Sequence, residues 1–239
     1  RPYRVEEIRQ ETEDVWTVKL APPPGLAIGD YMPGQFHFLT FFRAQALPVE
    51  EHHWTISSSP AQKDYISSTI KAVGDFTATI GRTRIGDTAA VHGPFGRYSY
   101  VLHPEERDLV FLAGGIGITP LMAMLRHMRD VGDAPSVTLL YANKKEEGIV
   151  FRDELQLIAA GKKPSLTLVH VLSRPDGNWT GETGHLDREK IETYCGPSLG
   201  EKTFYVCGPV KMAEGLMEIL RGMGVSKGRI RREIFSFID

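Results

Sequence analysis

The stretch Leu109-Val110-Phe111-Leu112-Ala113-Gly114-Gly115-Ile116-Gly117-Ile118-Thr119-Pro120 decides the fold. Its first five residues make a continuous apolar strand, and glycines follow at once. Pro120–Arg129 then carries apolar residues at helical spacing. Pro120 suits a first helical turn, where a missing N–H costs nothing. Gly114, Gly115 and Gly117 permit a tight turn and let phosphate oxygens approach the backbone. The helix start beyond them offers free amides and a positive dipole end to a pyrophosphate. The run is not G-x-G-x-x-G and lacks the expected acidic residue, so alone it reads equally as a sharp strand-to-helix turn.

Downstream of this stretch the alternation continues. Val137–Tyr141, Leu166–Leu172 and Thr203–Cys207 read as strands, and Phe151–Ala159, Arg188–Tyr194 and Ala213–Met223 as helices. Such alternation implies βαβ units on a parallel sheet. Upstream the period differs. Arg4–Arg9, Val15–Leu20, Gln35–Thr40, Trp54–Ser58, Ile66–Lys71 and Thr88–His92 are short and rich in β-branched and aromatic residues. Turn-formers such as Pro22-Pro23-Pro24-Gly25 separate them, which suggests an antiparallel barrel or sandwich. One short helix is expected over Asp75–Arg82. The predicted architecture is therefore an N-terminal β-barrel domain over residues 1–103 and a Rossmann-like parallel α/β domain over 104–239, joined near Leu102–Arg107.

Cys207-Gly208-Pro209 occupies the position that Gly114–Pro120 holds, after a strand and before a helix. Ligands collect at the carboxyl ends of parallel strands, so both turns are expected to face one crevice. A lone cysteine at a strand end is more often a small buried hydrophobe than a reactive group. Here the following Gly-Pro and the shared crevice favour function.

Bulk properties exclude several classes. The net charge of -2 gives no electrostatic reason to expect nucleic acid or an anionic membrane as partner. Two cysteines, Cys195 and Cys207, are too few to ligate an iron–sulfur cluster and do not look like a disulfide scaffold. No metal site is expected, and a reduced, cytoplasmic setting is the default. No signal peptide is visible at Arg1–Glu11, and no apolar run approaches the ~20 residues of a membrane span. The chain begins without Met, so a membrane connection enters only if it is a fragment of a longer protein.

In this order the motifs resemble those of the ferredoxin–NADP reductase superfamily. That family's Arg-x-Tyr-Ser/Thr-x-x-Ser/Thr flavin motif is matched by His52-His53-Trp54-Thr55-Ile56-Ser57-Ser58. Gly74-Asp75-Phe76-Thr77, which follows Lys71, looks like its flavin-phosphate loop, and Gly93-Pro94-Phe95-Gly96 like its barrel-closing motif. Gly114–Pro120 and Cys207-Gly208-Pro209 match its pyrophosphate and nicotinamide motifs, and Phe151-Arg152-Asp153-Glu154-Leu155 is a further familiar segment.

The resemblance implies a reductase that passes hydride from NAD(P)H to FAD, rather than FMN, and single electrons onward. The acceptor it implies is a ferredoxin-like protein, an oxygenase component, haem or a ferric chelate. It places Thr55 near flavin N5, Trp54 over the flavin, and His52, Ser57, Ser58, Lys71, Gly74, Phe76 and Thr77 around it. Thr119 and Cys207 fall at the nicotinamide, and Ser173-Arg174 at a 2′-phosphate, with a preference for NADPH. Glu233 would assist proton transfer, and Phe235 or Phe237 would cover the flavin from a tail that follows the last strand; both phenylalanines packing in the core is an equal reading. His52 departs from the family's arginine, and imidazole does not reproduce a bidentate guanidinium. The His-x-aromatic-Thr form resembles ferric reductases and NADPH oxidases, whose flavin domains follow a haem-binding membrane domain. A regulatory flavin subunit is disfavoured, since such subunits usually carry a C-terminal cysteine cluster.

Overall fold

A computed structural model of the chain describes residues 2–44 and 46–235, with Ile234 and Phe235 described by backbone alone. Six strands form the first sheet: β1 (Tyr3–Thr12), β2 (Val15–Ala21), β3 (Phe36–Phe42), β4 (Glu51–Thr55), β5 (Ile66–Lys71) and β6 (Thr88–Phe95). They pair antiparallel in the order β4-β3-β6-β1-β2-β5. An antiparallel bridge from Ile56 to Ser68 joins the two edges and makes the sheet barrel-like. Alternate residues Val18, Leu20, Leu39, Phe41 and Ile70 fill its interior.

After Phe95 the chain enters the second sheet with β7 (Asp108–Gly114). There follow α1 (Ile118–Val131), β8 (Ser136–Asn143), α2 (Arg152–Ala160), β9 (Ser165–Leu172), β10 (Glu182–Thr183), α3 (Arg188–Cys195), β11 (Thr203–Pro209), α4 (Val210–Gly222) and β12 (Ile230–Phe235). All neighbours pair parallel, in the order β10-β9-β8-β7-β11-β12. One face of this sheet packs on α1 and α2, the other on α3 and α4. The chain reverses its direction of strand addition between β7 and β11, so their carboxyl ends flank the topological switch point. Val15, at the tip of the β1–β2 hairpin, is buried in the core of the α/β half. Among the described residues, no helix is long and apolar enough to cross a membrane.

Two expectations need correction. Glu233 does not follow the last strand but lies inside β12, where it pairs with Cys207. Arg231 and Arg232 interrupt the apolar pattern of this edge strand, which hides it from periodicity. The short helix begins at Thr77 rather than Asp75 and is a 3-10 segment, Thr77–Arg82. The Thr77 hydroxyl accepts from the amides of Val73 and Gly74, holding those residues in the preceding turn.

Candidate active site

The two glycine turns meet at the switch point. A Cβ on Gly117 would lie 2.4 Å from the Cys207 carbonyl oxygen, and one on Gly208 3.1 Å from the Gly114 nitrogen. Gly117 must therefore be glycine for backbone to approach backbone, and Gly208 sits in a nearly as tight approach. Gly115 needs it for another reason: its φ is +52°, and the space over its α-carbon is open. The Tyr141 hydroxyl donates to the Gly115 carbonyl at 3.0 Å, and the Thr119 hydroxyl to the Ile116 carbonyl at 3.1 Å. Pro120 is buried in the first turn of α1.

Gly114 and Gly115 open onto a cleft of about 1390 Å³ between the barrel and the α/β half. Its barrel wall includes Trp16 and Lys71, and its other wall Pro209, Met212 and Ser173. Lys71 is paired with Asp14 at 3.3 Å and Lys145 with Glu147 at 3.2 Å. Backbone bonds from Ser173 to Asn143 and from Arg174 to Lys144 tie the tips of β8 and β9 together. Lys144 and Arg174 are therefore neighbouring exposed cations, and neither makes an ion pair among the described residues.

At the floor of the switch point Cys207 and Tyr98 are buried, and Glu233 beside Cys207 is half-buried. Burial pushes the Glu233 carboxyl up to about 7. Burial, then the nearby Glu233 charge, raises the Cys207 thiol well above its ordinary value. Tyr98 is raised by burial first and by Cys207 and Glu233 next, and among the described residues its hydroxyl has no hydrogen-bond partner. A buried neutral thiol beside a carboxyl packs and positions; it is not an activated nucleophile.

The flavin-motif residues divide between the faces of β4. His52 and Trp54 share one face with Phe76. The His52 and Phe76 ring centroids are 4.3 Å apart, and Trp54 stacks on Phe76 at 6.0 Å. His52 also bonds Glu50 at 2.8 Å. His53 lies on the other face with Phe36 and Phe38. Thr55 is buried, and among the described residues its hydroxyl has no partner. A buried orphan hydroxyl costs ~1–3 kcal/mol, so its retention here suits a group that it would hydrogen-bond.

Ser57 and Ser58 point elsewhere. Ser57 bonds the hydroxyls of Ser67 and Thr69, while Ser58 bonds Tyr31 and accepts from the Ser67 amide. Both therefore have protein partners and stand apart from the large cleft. Phe237 and the Phe235 side chain lie outside the described residues. Sequence reasoning missed Tyr98, Trp16 and Met212. Tyr98 had a signal, because it stands two residues after the Gly93–Gly96 motif; Trp16 and Met212 had none beyond their place in regular elements.

Comparison with known proteins places this geometry. Residues 111–218 match the oxidoreductase NAD-binding domain family. The stachydrine N-demethylase reductase subunit Stc4 of Rhizobium meliloti (strain 1021) is 30% identical over 231 residues, 95% of this chain and 64% of that protein. The chain thus spans less than two thirds of that relative's length. Among solved structures, the FAD/NAD-binding domain of a nitric oxide dioxygenase from Vibrio cholerae O1 biovar El Tor superposes with a TM-score of 0.86 at 23% identity, covering 98% of both chains. The CS-b5R domains of human Ncb5or, in an NAD⁺ form, superpose with a TM-score of 0.82 at 27% identity, covering 97% of this chain and 68% of that one.

Proposed function

We propose that the chain is a flavin-dependent NAD(P)H oxidoreductase of the ferredoxin–NADP reductase superfamily. In this reading it takes hydride from the dinucleotide and releases single electrons to an acceptor. The observation that carries it is the junction of Gly114–Gly117 with Cys207-Gly208 at the mouth of the large cleft, with Thr55 holding an orphan buried hydroxyl in the flavin motif. FAD, when bound, supplies the conversion of a two-electron donor into one-electron steps.

The chain's own residues do the rest. The Gly114–Pro120 turn presents backbone amides and the start of α1 to a pyrophosphate. Cys207 and Thr119 shape the nicotinamide end, and Trp54 with Phe76 and Thr77 holds the flavin. Thr55 supplies a hydrogen bond at the reacting edge, and Glu233 holds a proton near neutrality. Lys144 and Arg174 are placed for a 2′-phosphate, which favours NADPH. With His52 bonded to Glu50, flavin-phosphate binding leans on the Gly74–Thr77 turn instead of an arginine. The acceptor is an iron–sulfur protein, an oxygenase component, haem or a ferric chelate. The His52-His53-Trp54-Thr55 form supports a second reading, the electron-input part of a membrane haem protein.

A visible spectrum of the purified chain, followed by anaerobic addition of NADPH and then NADH, tests the proposal. Bands near ~370 and ~450 nm that bleach with dinucleotide are the expected result, since the redox chemistry belongs to the flavin. A colourless chain that takes up no added FAD would overturn it.

A further inference from the structure

Arg126 lies on α1 roughly two helical turns beyond Ile118, and its side chain is 11% exposed. Its Nε and Nη2 donate to the two carboxylate oxygens of Glu154 at 2.9 and 2.6 Å. Its Nη1 donates to the Ser57 carbonyl at 2.6 Å, and its guanidinium lies over the Phe151 ring, 4.6 Å from the centroid. Phe151 itself has φ +61°, an uncommon conformation for a bulky residue, just before α2. One planar fork thus grips α1, the start of α2 and the barrel. Among the described residues, this is the only side-chain hydrogen bond joining the barrel, up to Phe95, to the α/β half from Asp108 onward.

The partner is not a random barrel residue. Ser57 stands two residues after Thr55, and it is fixed on its own side by its amide to Ser67 O at 2.8 Å and by its hydroxyl network. At the other end of the linkage, α1 carries the Gly114–Pro120 turn at its start. Arg126 does not line the large cleft, and its three polar partnerships are all within the protein. We propose that Arg126 is a positioning residue, which sets the approach of the dinucleotide turn to the Thr55 segment and hence the geometry of hydride transfer. This rests on the function proposed above. A lysine has a point charge and no fork, so it cannot hold Glu154 bidentately and the Ser57 carbonyl together.

The test compares wild type with Arg126→Lys in the purified, FAD-loaded chain, by stopped-flow flavin reduction over a range of NADPH concentrations. Backbone amide exchange over residues 55–58 is measured in parallel. The hydride-transfer rate should fall about 10-fold to 100-fold, as expected for a misplacement near 1 Å, while the dinucleotide Kd stays within about twofold. Amide exchange over residues 55–58 should accelerate, and the long-wavelength absorbance of stacked nicotinamide and flavin should weaken. A hydride-transfer rate within about twofold of wild type, or a loss carried entirely by Kd, would overturn the assignment. Should Arg126→Lys fail to fold, Glu154→Gln takes its place, with a smaller loss in the same direction expected and no loss overturning the assignment. A wild-type chain that accepts no hydride defeats the parent function instead, and unchanged exchange over 55–58 would then defeat the positioning role separately.

Discussion

Cys207 on β11 and Glu233 on β12 stand opposite each other in the parallel ladder, at the point where the two glycine turns meet. Both groups are harder to ionise than in water. Burial is the main cause for both, and for Cys207 the carboxylate adds to it. The pair therefore stays neutral together into the neutral range, and the first of the two to lose its proton is Glu233.

That order predicts a pH signature. The Glu233 carboxyl is raised from 4.5 to about 7 in the folded chain. A raised folded pKa means stability that is fully present below 4.5 and lost as pH rises through about 7. At ~1.4 kcal/mol per pH unit the loss is on the order of 3 kcal/mol. Glu233→Gln should remove this slope in urea denaturation followed from pH 4.5 to 8. It should also remove any inflection near neutrality in turnover. A turnover profile that keeps its inflection in Glu233→Gln would assign it to another group.

His37 acts in the opposite direction. It is fully buried in the barrel, its Nε2 is 2.7 Å from the Ser68 hydroxyl, and burial lowers its pKa from 6.5 to about 3. A depressed histidine leaves the folded state neutral while the unfolded chain takes up a proton. Stability is therefore lost as pH falls below 6.5, by ~1.4 kcal/mol per unit until about pH 3. His37→Gln keeps a polar partner for Ser68 and cannot titrate. It should flatten the acid limb of the urea-midpoint profile while leaving the limb above pH 7 unchanged.

The parts of the sequence that spoke clearly were the local ones. Ile66–Lys71 is a strand with the expected bounds, and the turn at Gly114–Pro120 sits where its glycines and proline dictate. Strand-to-helix chemistry of that kind depends on residues next to each other in the chain. What stayed hidden depends on distant partners. Arg126 finds Ser57 across 69 positions, and nothing in the helical pattern of α1 marks that arginine apart from Arg129. Glu233 read as tail because two arginines mask an edge strand. The serines of the flavin motif were legible as a motif, yet their inward bonds to Ser67, Thr69 and Tyr31 required the barrel to close.

Thr55 gives a prediction with two opposed effects. Among the described residues its buried hydroxyl has no partner. Thr55→Val keeps the shape and removes the orphan oxygen, so the flavin-free chain should gain about 1 kcal/mol in urea denaturation. With FAD bound, the same change should slow reduction by dinucleotide roughly tenfold, the worth of one hydrogen bond. A structural threonine would lose stability on substitution and leave the reduction rate unchanged. Gain in one assay with loss in the other is the mark of a site residue.

Arg174 gives a test of dinucleotide choice. Its amide bonds the Lys144 carbonyl at 2.8 Å, which sets the two cations side by side at the tips of β9 and β8. A 2′-phosphate placed between them would form charge-assisted hydrogen bonds, each worth ~1.5–3 kcal/mol. Arg174→Ala should then raise the KM for NADPH by more than about tenfold and leave that for NADH within about twofold. Lys144→Ala should act in the same direction but less strongly, since an ammonium lacks the bidentate fork. Steady-state kinetics with both dinucleotides on the same preparation separates the cases. Equal sensitivity to NADPH and NADH would mean that Arg174 supports the β8–β9 tips without reading the phosphate. A rise in NADPH KM that grows as salt is lowered would fit a charge contact, because screening weakens the wild-type interaction most at high ionic strength.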